Sequence, residues 1–161
     1  MWKEVLANRL DNLIKMAEWL ETECTQAEFH MDFYRRDLGC GTVGCIIGSI
    51  PKVFGVEPYD EPRIGLRWEL LARDTFDVRL QFPESESIWK FEWLFDASWH
   101  VLDNTPVGAA KRIGYFIAKK GRIPEWYAPI PWEVHRKIYL PGEQAEIPWR
   151  KQYEEEVLMA V

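Results

Sequence analysis

A chain of 161 residues with 47% hydrophobic and 14% aromatic side chains has enough apolar surface for one core, which excludes a disordered segment. Twenty Lys and Arg against 26 Asp and Glu leave a net charge of −6, which opposes non-specific adhesion to nucleic acid or an anionic membrane. Three cysteines at uneven spacing argue against a secreted disulfide framework, and no apolar run approaches the roughly 20 residues of a membrane span. With a charged amphipathic start in place of a secretory signal, the expectation is a soluble, cytoplasmic protein.

Apolar residues at Trp2, Leu6, Leu10, Leu13, Ala17 and Leu20 fall at steps of four, four, three, four and three, which predicts an amphipathic helix from Trp2 to about Glu23. Lys3, Arg9, Asp11, Lys15, Glu18 and Glu21 take its other faces. Phe29, Met31, Phe33 and Tyr34 belong to a connecting segment. Then comes Cys40-Gly41-Thr42-Val43-Gly44-Cys45-Ile46-Ile47-Gly48, with two of the three cysteines. Thr42 is suited to cap a helix running to Ser49 or Ile50, where Pro51 ends it or starts a short successor capped by Ser49 and closed by Gly55. Pro58, Asp60 and Pro62 mark a loop, and Ile64, Trp68, Leu71 and Ala72 predict a helix to about Asp74. Phe76, Val78, Leu80 and Phe82 alternate with polar residues, as in a short strand.

Ser87 is a candidate cap for a helix that turns Ile88, Phe91, Leu94 and Phe95 inward, with Trp89 and Trp93 beside that stripe. Asp103-Asn104-Thr105-Pro106 then places a cap at Thr105 and Pro at the first helical position, and Gly121 supplies a left-handed stop after Lys119 and Lys120. Beyond Gly121 the composition changes. Pro124, Pro129, Pro131, Pro141 and Pro148 punctuate a stretch carrying Trp126, Trp132 and Trp149, and a charged helix is predicted from about Pro148 to Met159. The fold expected is mainly α: a compact single-domain helical fold with at most a small β element. Residues 1–121 form its helical core, and 122–161 form a Pro/Trp-rich C-terminal extension packed on the core or on a partner.

Cys40 near a helix N-terminus, with His100 as base and Asp96 or Asp103 orienting it, could form a thiol triad. Cys24, Cys40 and Cys45 with His30 or His100 could supply four zinc ligands. Packing accounts for more residues than either. Gly44 and Gly48 on one helix, and Ala110 and Gly114 on another beside Ile113 and Ile117, would cut facing notches where the two helices cross closely. Between Thr105 and Pro124 the charges are all basic, at Lys111, Arg112, Lys119, Lys120 and Arg122. A Walker A loop, a dinucleotide glycine fingerprint, H-E-x-x-H, an EF-hand loop and a G-x-S-x-G elbow are all missing from the sequence. No enzyme, metal or cofactor is expected.

The order Cys40-Gly41-Thr42-Val43-Gly44-Cys45, then Trp93-Leu94-Phe95, then Thr105-Pro106 and Ala109-Ala110-Lys111-Arg112-Ile113 resembles a family of small proteins of bacteriophages and prophage-bearing bacteria. The resemblance covers about residues 1 to 121 and carries no established activity. It implies a phage-type accessory protein acting by stoichiometric binding in the host cytoplasm, as a host-takeover or counter-defence inhibitor. Nine Trp exceed what one small core usually absorbs, so some are expected at an interface. The expected contact residues are Trp126, Trp132 and Trp149 for a protein partner or for self-association. Lys111, Arg112 and Arg122 are expected to pair with phosphate if the ligand is instead a nucleotide-like molecule; a virion component is a further alternative.

Overall fold

The computed structural model describes residues 9–31, 35–38, 41–77, 89–140 and 142–160, and most of them are helical or in helical turns. The first helix, α1, spans Arg9–Thr22 and delivers Leu13 and Leu20 of the predicted stripe to the interior together with Met16, while Leu10 of that stripe is exposed and Ala17 half-buried. Trp2 and Leu6, the first members of the predicted stripe, lie outside the described residues. A polar residue also turns inward: the buried Asn12 donates from Nδ2 to the carbonyl of Thr75 at 2.9 Å. Arg9 pairs with Asp77 at 3.0 Å. Together these tie α1 to the helix that precedes Asp77.

The Cys40–Gly48 region corrects the sequence expectation. Strand β1, Arg35–Leu38, pairs antiparallel with β2, Gly41–Gly44, with Arg35 opposite Gly44 and Leu38 opposite Gly41. Thr42 therefore sits within a strand and caps no helix. Glycines at both ends weaken any helix there, and the β-branched pair Thr42-Val43 suits an extended backbone. Helical structure begins with a 3-10 turn, Ile47–Ser49, followed by α2, Ile50–Phe54, which Gly55 closes. Ser49 precedes α2, but its hydroxyl turns back to donate to the Cys45 carbonyl at 2.8 Å. Gly44 and Gly48 consequently share no helix ridge. The facing notch is missing too, since Gly114 is exposed and a Cβ there would meet no atom within 4 Å.

Helix α3, Ile64–Phe76, buries Trp68, Leu71, Ala72 and Phe76. It runs past Asp74 and takes Phe76 out of the predicted strand, and Asp77 ends it at a left-handed φ of 35°. Val78, Leu80, Phe82, Ser87 and Ile88 lie outside the described residues. Helix α4, Lys90–Phe95, buries Trp93, Leu94 and Phe95. Phe91, expected inside, is exposed, and Trp93, expected beside the stripe, is fully buried. A 3-10 turn, Ala97–Val101, follows, with Asp96 accepting the Ser98 N–H at 3.0 Å.

Helix α5, Pro106–Ala118, begins as read from sequence: Thr105 Oγ1 accepts the Gly108 N–H at 3.0 Å. Gly121, at φ 78°, ends it by donating its N–H back to the Phe116 carbonyl at 2.8 Å. α5 packs along α1, the most extensive pairing between helices. The extension then adds α6, Trp132–His135, and α7, Arg150–Tyr153, which continues into a π-helical turn, Glu154–Leu158. Tyr127, Ile130, Ala145, Ile147, Trp149, Tyr153 and Val157 are buried in the same core as the preceding helices. Ala145 N–H donates to the Val101 carbonyl and Gln144 Nε2 to that of Leu102, both at 3.0 Å. The extension is thus a strap that folds back over α4 and α5.

Candidate functional site

The strap is held by a buried charged cluster. Asp103, at the mouth of α5, accepts from Thr105 Oγ1 at 2.6 Å and from the Thr105 N–H at 3.2 Å through Oδ1. Its other oxygen accepts from the Tyr153 hydroxyl and from Arg112 Nη1 at 3.3 Å. Arg112 Nη1 also donates to Tyr153 Oη at 2.9 Å, and its guanidinium lies 4.1 Å from the Trp99 ring centre. Arg112 is 0% exposed, so each of these contacts acts in a desolvated setting. Gly108 is needed here, because a Cβ would stand 1.8 Å from Asp103 Oδ2. Among the described residues, two guanidinium nitrogens, Nε and Nη2, have no hydrogen-bond partner.

Around that cluster the rings of Trp93, Trp99, Trp126, Tyr127, Trp149 and Tyr153 form one aromatic body, with neighbouring centroids 5.0 to 6.3 Å apart. This relocates several residues expected at a contact surface. Trp149 is buried among Trp99, Trp126 and Tyr127. Trp126 is half-buried and donates from Nε1 to Glu156 at 2.7 Å. Lys111 donates to the Leu158 carbonyl, and Arg112 has no surface to offer a phosphate. Arg122 and Trp132 remain exposed. Lys111, Arg112 and Arg122 therefore do not converge on a ligand; the first two fasten the strap.

The two described thiols, Cys24 and Cys45, are shifted toward the protonated form. Burial pushes Cys45 up to about 11, and burial followed by the Glu28 carboxylate pushes Cys24 up to about 12. Lys52 pulls the Cys24 thiol the other way, but burial and Glu28 outweigh it. Cys40 lies outside the described residues. The acids expected to orient His100 are engaged with Ser98 and with Arg112, while His100 Nδ1 lies 2.9 Å from the Ala97 carbonyl. Among the described residues, no group of three or more His, Cys, Asp or Glu side chains is placed to hold a metal ion.

Between the Ala97–Val101 turn and the residues after α6 lies an open cleft of about 590 Å³. Its walls include His100, Trp132, His135, Arg136, Lys137 and Tyr139. The His135 ring centre is 4.8 Å from that of His100 and 5.1 Å from that of Trp132. His30 stands 5.9 Å from His100, so all three histidines of the chain form one row. They come from positions 30, 100 and 135, and no spacing rule links them. Tyr139 donates its hydroxyl to the Val134 carbonyl at 3.3 Å, and Glu143 accepts the Leu140 N–H at 2.9 Å, which shapes the loop. Of its lining residues Trp132 is 64% exposed and Ile138 91%, and Leu140, which follows Tyr139 in the chain, is 68% exposed. A second cleft, about 550 Å³ beside Trp19 and Lys52, mixes both charge signs, and Lys52 there is paired with Glu28.

No protein-family model, curated protein or solved structure matches this chain. Among the described residues, no helix is long and apolar enough to cross a membrane. What the cleft can do therefore follows from its own side chains. It offers aromatic and aliphatic contact area together with Arg136, Lys137 and Glu143.

Proposed function

We propose that this protein is a non-catalytic binding protein that contacts a protein partner through residues 132–140 of its strap. The observation that carries the reading is the exposure of Trp132, Ile138 and Leu140 within one short run, on a strap that buries Tyr127, Trp149 and Tyr153 and half-buries Trp126 and Tyr139. Large apolar side chains left in water in a cluster mark an interaction site, and Trp is the commonest anchor at such sites. The phage-type resemblance points the same way, toward a stoichiometric host-takeover or counter-defence factor working in the host cytoplasm. Self-association through the same run is the competing outcome.

Point changes are the clean test. Truncation after Gly121 would strip Trp149 and Tyr153 from the core, so loss of binding by a truncated chain would say nothing about contact. Trp132→Ala and Ile138→Ser touch exposed residues and leave the folded state intact. In affinity capture from host lysate, the intact chain should retain a defined partner that both variants lose. Identical partner sets for all three proteins would remove the reading. A concentration-dependent mass in sedimentation, abolished by Ile138→Ser, would replace the foreign partner with a second copy of the chain.

A further inference from the structure

The run 132–140 reads Trp-Glu-Val-His-Arg-Lys-Ile-Tyr-Leu, bounded by Pro131 and Pro141. Its exposed apolar side chains bracket a basic centre, Arg136 and Lys137, both exposed. Among the described residues the Arg136 side chain forms no ion pair, and Lys137 lies only over the Tyr139 ring at 5.2 Å. His100 and His135 line the same cleft. Glu143, which accepts the Leu140 N–H, is the carboxylate among the lining residues, so the lining carries Arg136 and Lys137 against one carboxylate. A chain of net charge −6 thus keeps an excess of basic side chains on the same short run where Trp132, Ile138 and Leu140 stand in water.

We infer that the cleft docks an acidic segment of the partner protein, with carboxylates meeting Arg136 and Lys137 and apolar side chains packing on Trp132, Ile138 and Leu140; this rests on the protein-contact reading above. Charge complementarity of this kind sets specificity and register more than raw affinity. A small anionic metabolite would satisfy the cations but leave Ile138 and Leu140 in water. A nucleic acid strand could stack on Trp132, yet it offers the two aliphatic side chains little, and the net charge repels it.

The test uses the full chain and four labelled probes in fluorescence anisotropy. Three are 15-residue peptides with identical Leu, Ile and Trp positions, whose remaining positions are mainly Glu, mainly Gln or mainly Lys; the fourth is a 15-nucleotide thymidine strand. The Glu peptide should bind roughly tenfold more tightly than the Gln peptide at low salt, and the gap should shrink in high salt. The double variant Arg136→Glu, Lys137→Glu should reverse the order in favour of the Lys peptide. Equal binding of the Glu and Gln peptides, an order that the double variant leaves unchanged, tightest binding of the thymidine strand, or no binding at all would each overturn the acidic-segment inference. The capture experiment with Trp132→Ala judges the contact surface separately. A partner lost by Trp132→Ala but kept by the charge-reversed variant would leave the contact surface standing without its charge preference.

Discussion

The two halves of the strap use similar residues for opposite ends. Around Trp149 and Tyr153, aromatic rings are buried against Trp99 and clamped by Asp103 and Arg112. Around Trp132, the same residue type stands 64% exposed beside Arg136 and Lys137, with no core to enter. The difference lies in what each half meets. The buried half packs its rings on Trp99 and finds Asp103 and Arg112 for the Tyr153 hydroxyl, whereas the exposed half lies across a short 3-10 turn that contributes His100 and Val101 to the cleft. A Trp-rich, Pro-spaced segment is therefore neither all buried nor all exposed.

The sharpest way to break the comparison is at the clamp. Asp103→Ala strands the fully buried Arg112, and loss of one partner of a buried ion pair should cost about 3–5 kcal/mol in urea denaturation. Replacing both, as Asp103→Leu with Arg112→Leu, should cost less than that single change, because no uncompensated charge remains. Equal or greater loss in the double variant would show that the cluster acts through packing and not through charge.

Alkali offers a second route. Below pH 9 the Cys45 thiol is protonated whether the chain is folded or not, so its burial adds no pH dependence there. Above its ordinary value of 9.0 the unfolded chain releases the proton while the folded chain holds it to about 11, so stability falls as pH rises through that window. The loss from this thiol should approach about 3 kcal/mol, at about 1.4 kcal/mol per pH unit. Tyr127 and Tyr153, both raised chiefly by burial, act in the same direction above pH 10. A Cys45→Ala chain should show a shallower decline in melting temperature between pH 9 and 11, and an unchanged slope would count against a protonated, buried thiol.

Smaller effects sharpen the boundary between the halves. Gly108→Ala pushes a methyl into a carboxylate held by Thr105, Tyr153 and Arg112, so Asp103 cannot simply swing away. A cost of about 1–3 kcal/mol is expected, and it should largely vanish in an Asp103→Ala background. Trp132→Ala should change stability by no more than about 0.5 kcal/mol, as for other exposed positions. A large loss of melting temperature in that variant would mean that Trp132 belongs to the clasp after all.

Helix α5 was legible residue by residue, since Thr105, Pro106 and Gly121 act through neighbours within a turn of the chain. The hairpin was not, because the extended preference of Thr42-Val43 spans only two residues between glycines, and the pairing with Arg35–Leu38 decided it. In α4 a six-residue helix gave too few turns to separate Phe91 from Trp93, and tertiary packing made the choice. Of the contact residues expected, Trp132 alone lies on the cleft, while Arg136 and Lys137, four and five residues further on, were within reach as a basic pair between apolar neighbours bounded by two prolines.

Local rules thus determined the mainly helical class, the amphipathic face of α1, the capped α5 and the separate character of the segment after Gly121. Only the tertiary structure decided which Trp residues are buried, why Arg112 is a clamp and not a ligand cation, and that His30, His100 and His135 form one row. Caps and periodicity act over a few residues and are written in the order of the chain. Burial and charge pairing depend on which distant segments meet, and that is settled only when the strap closes on the core.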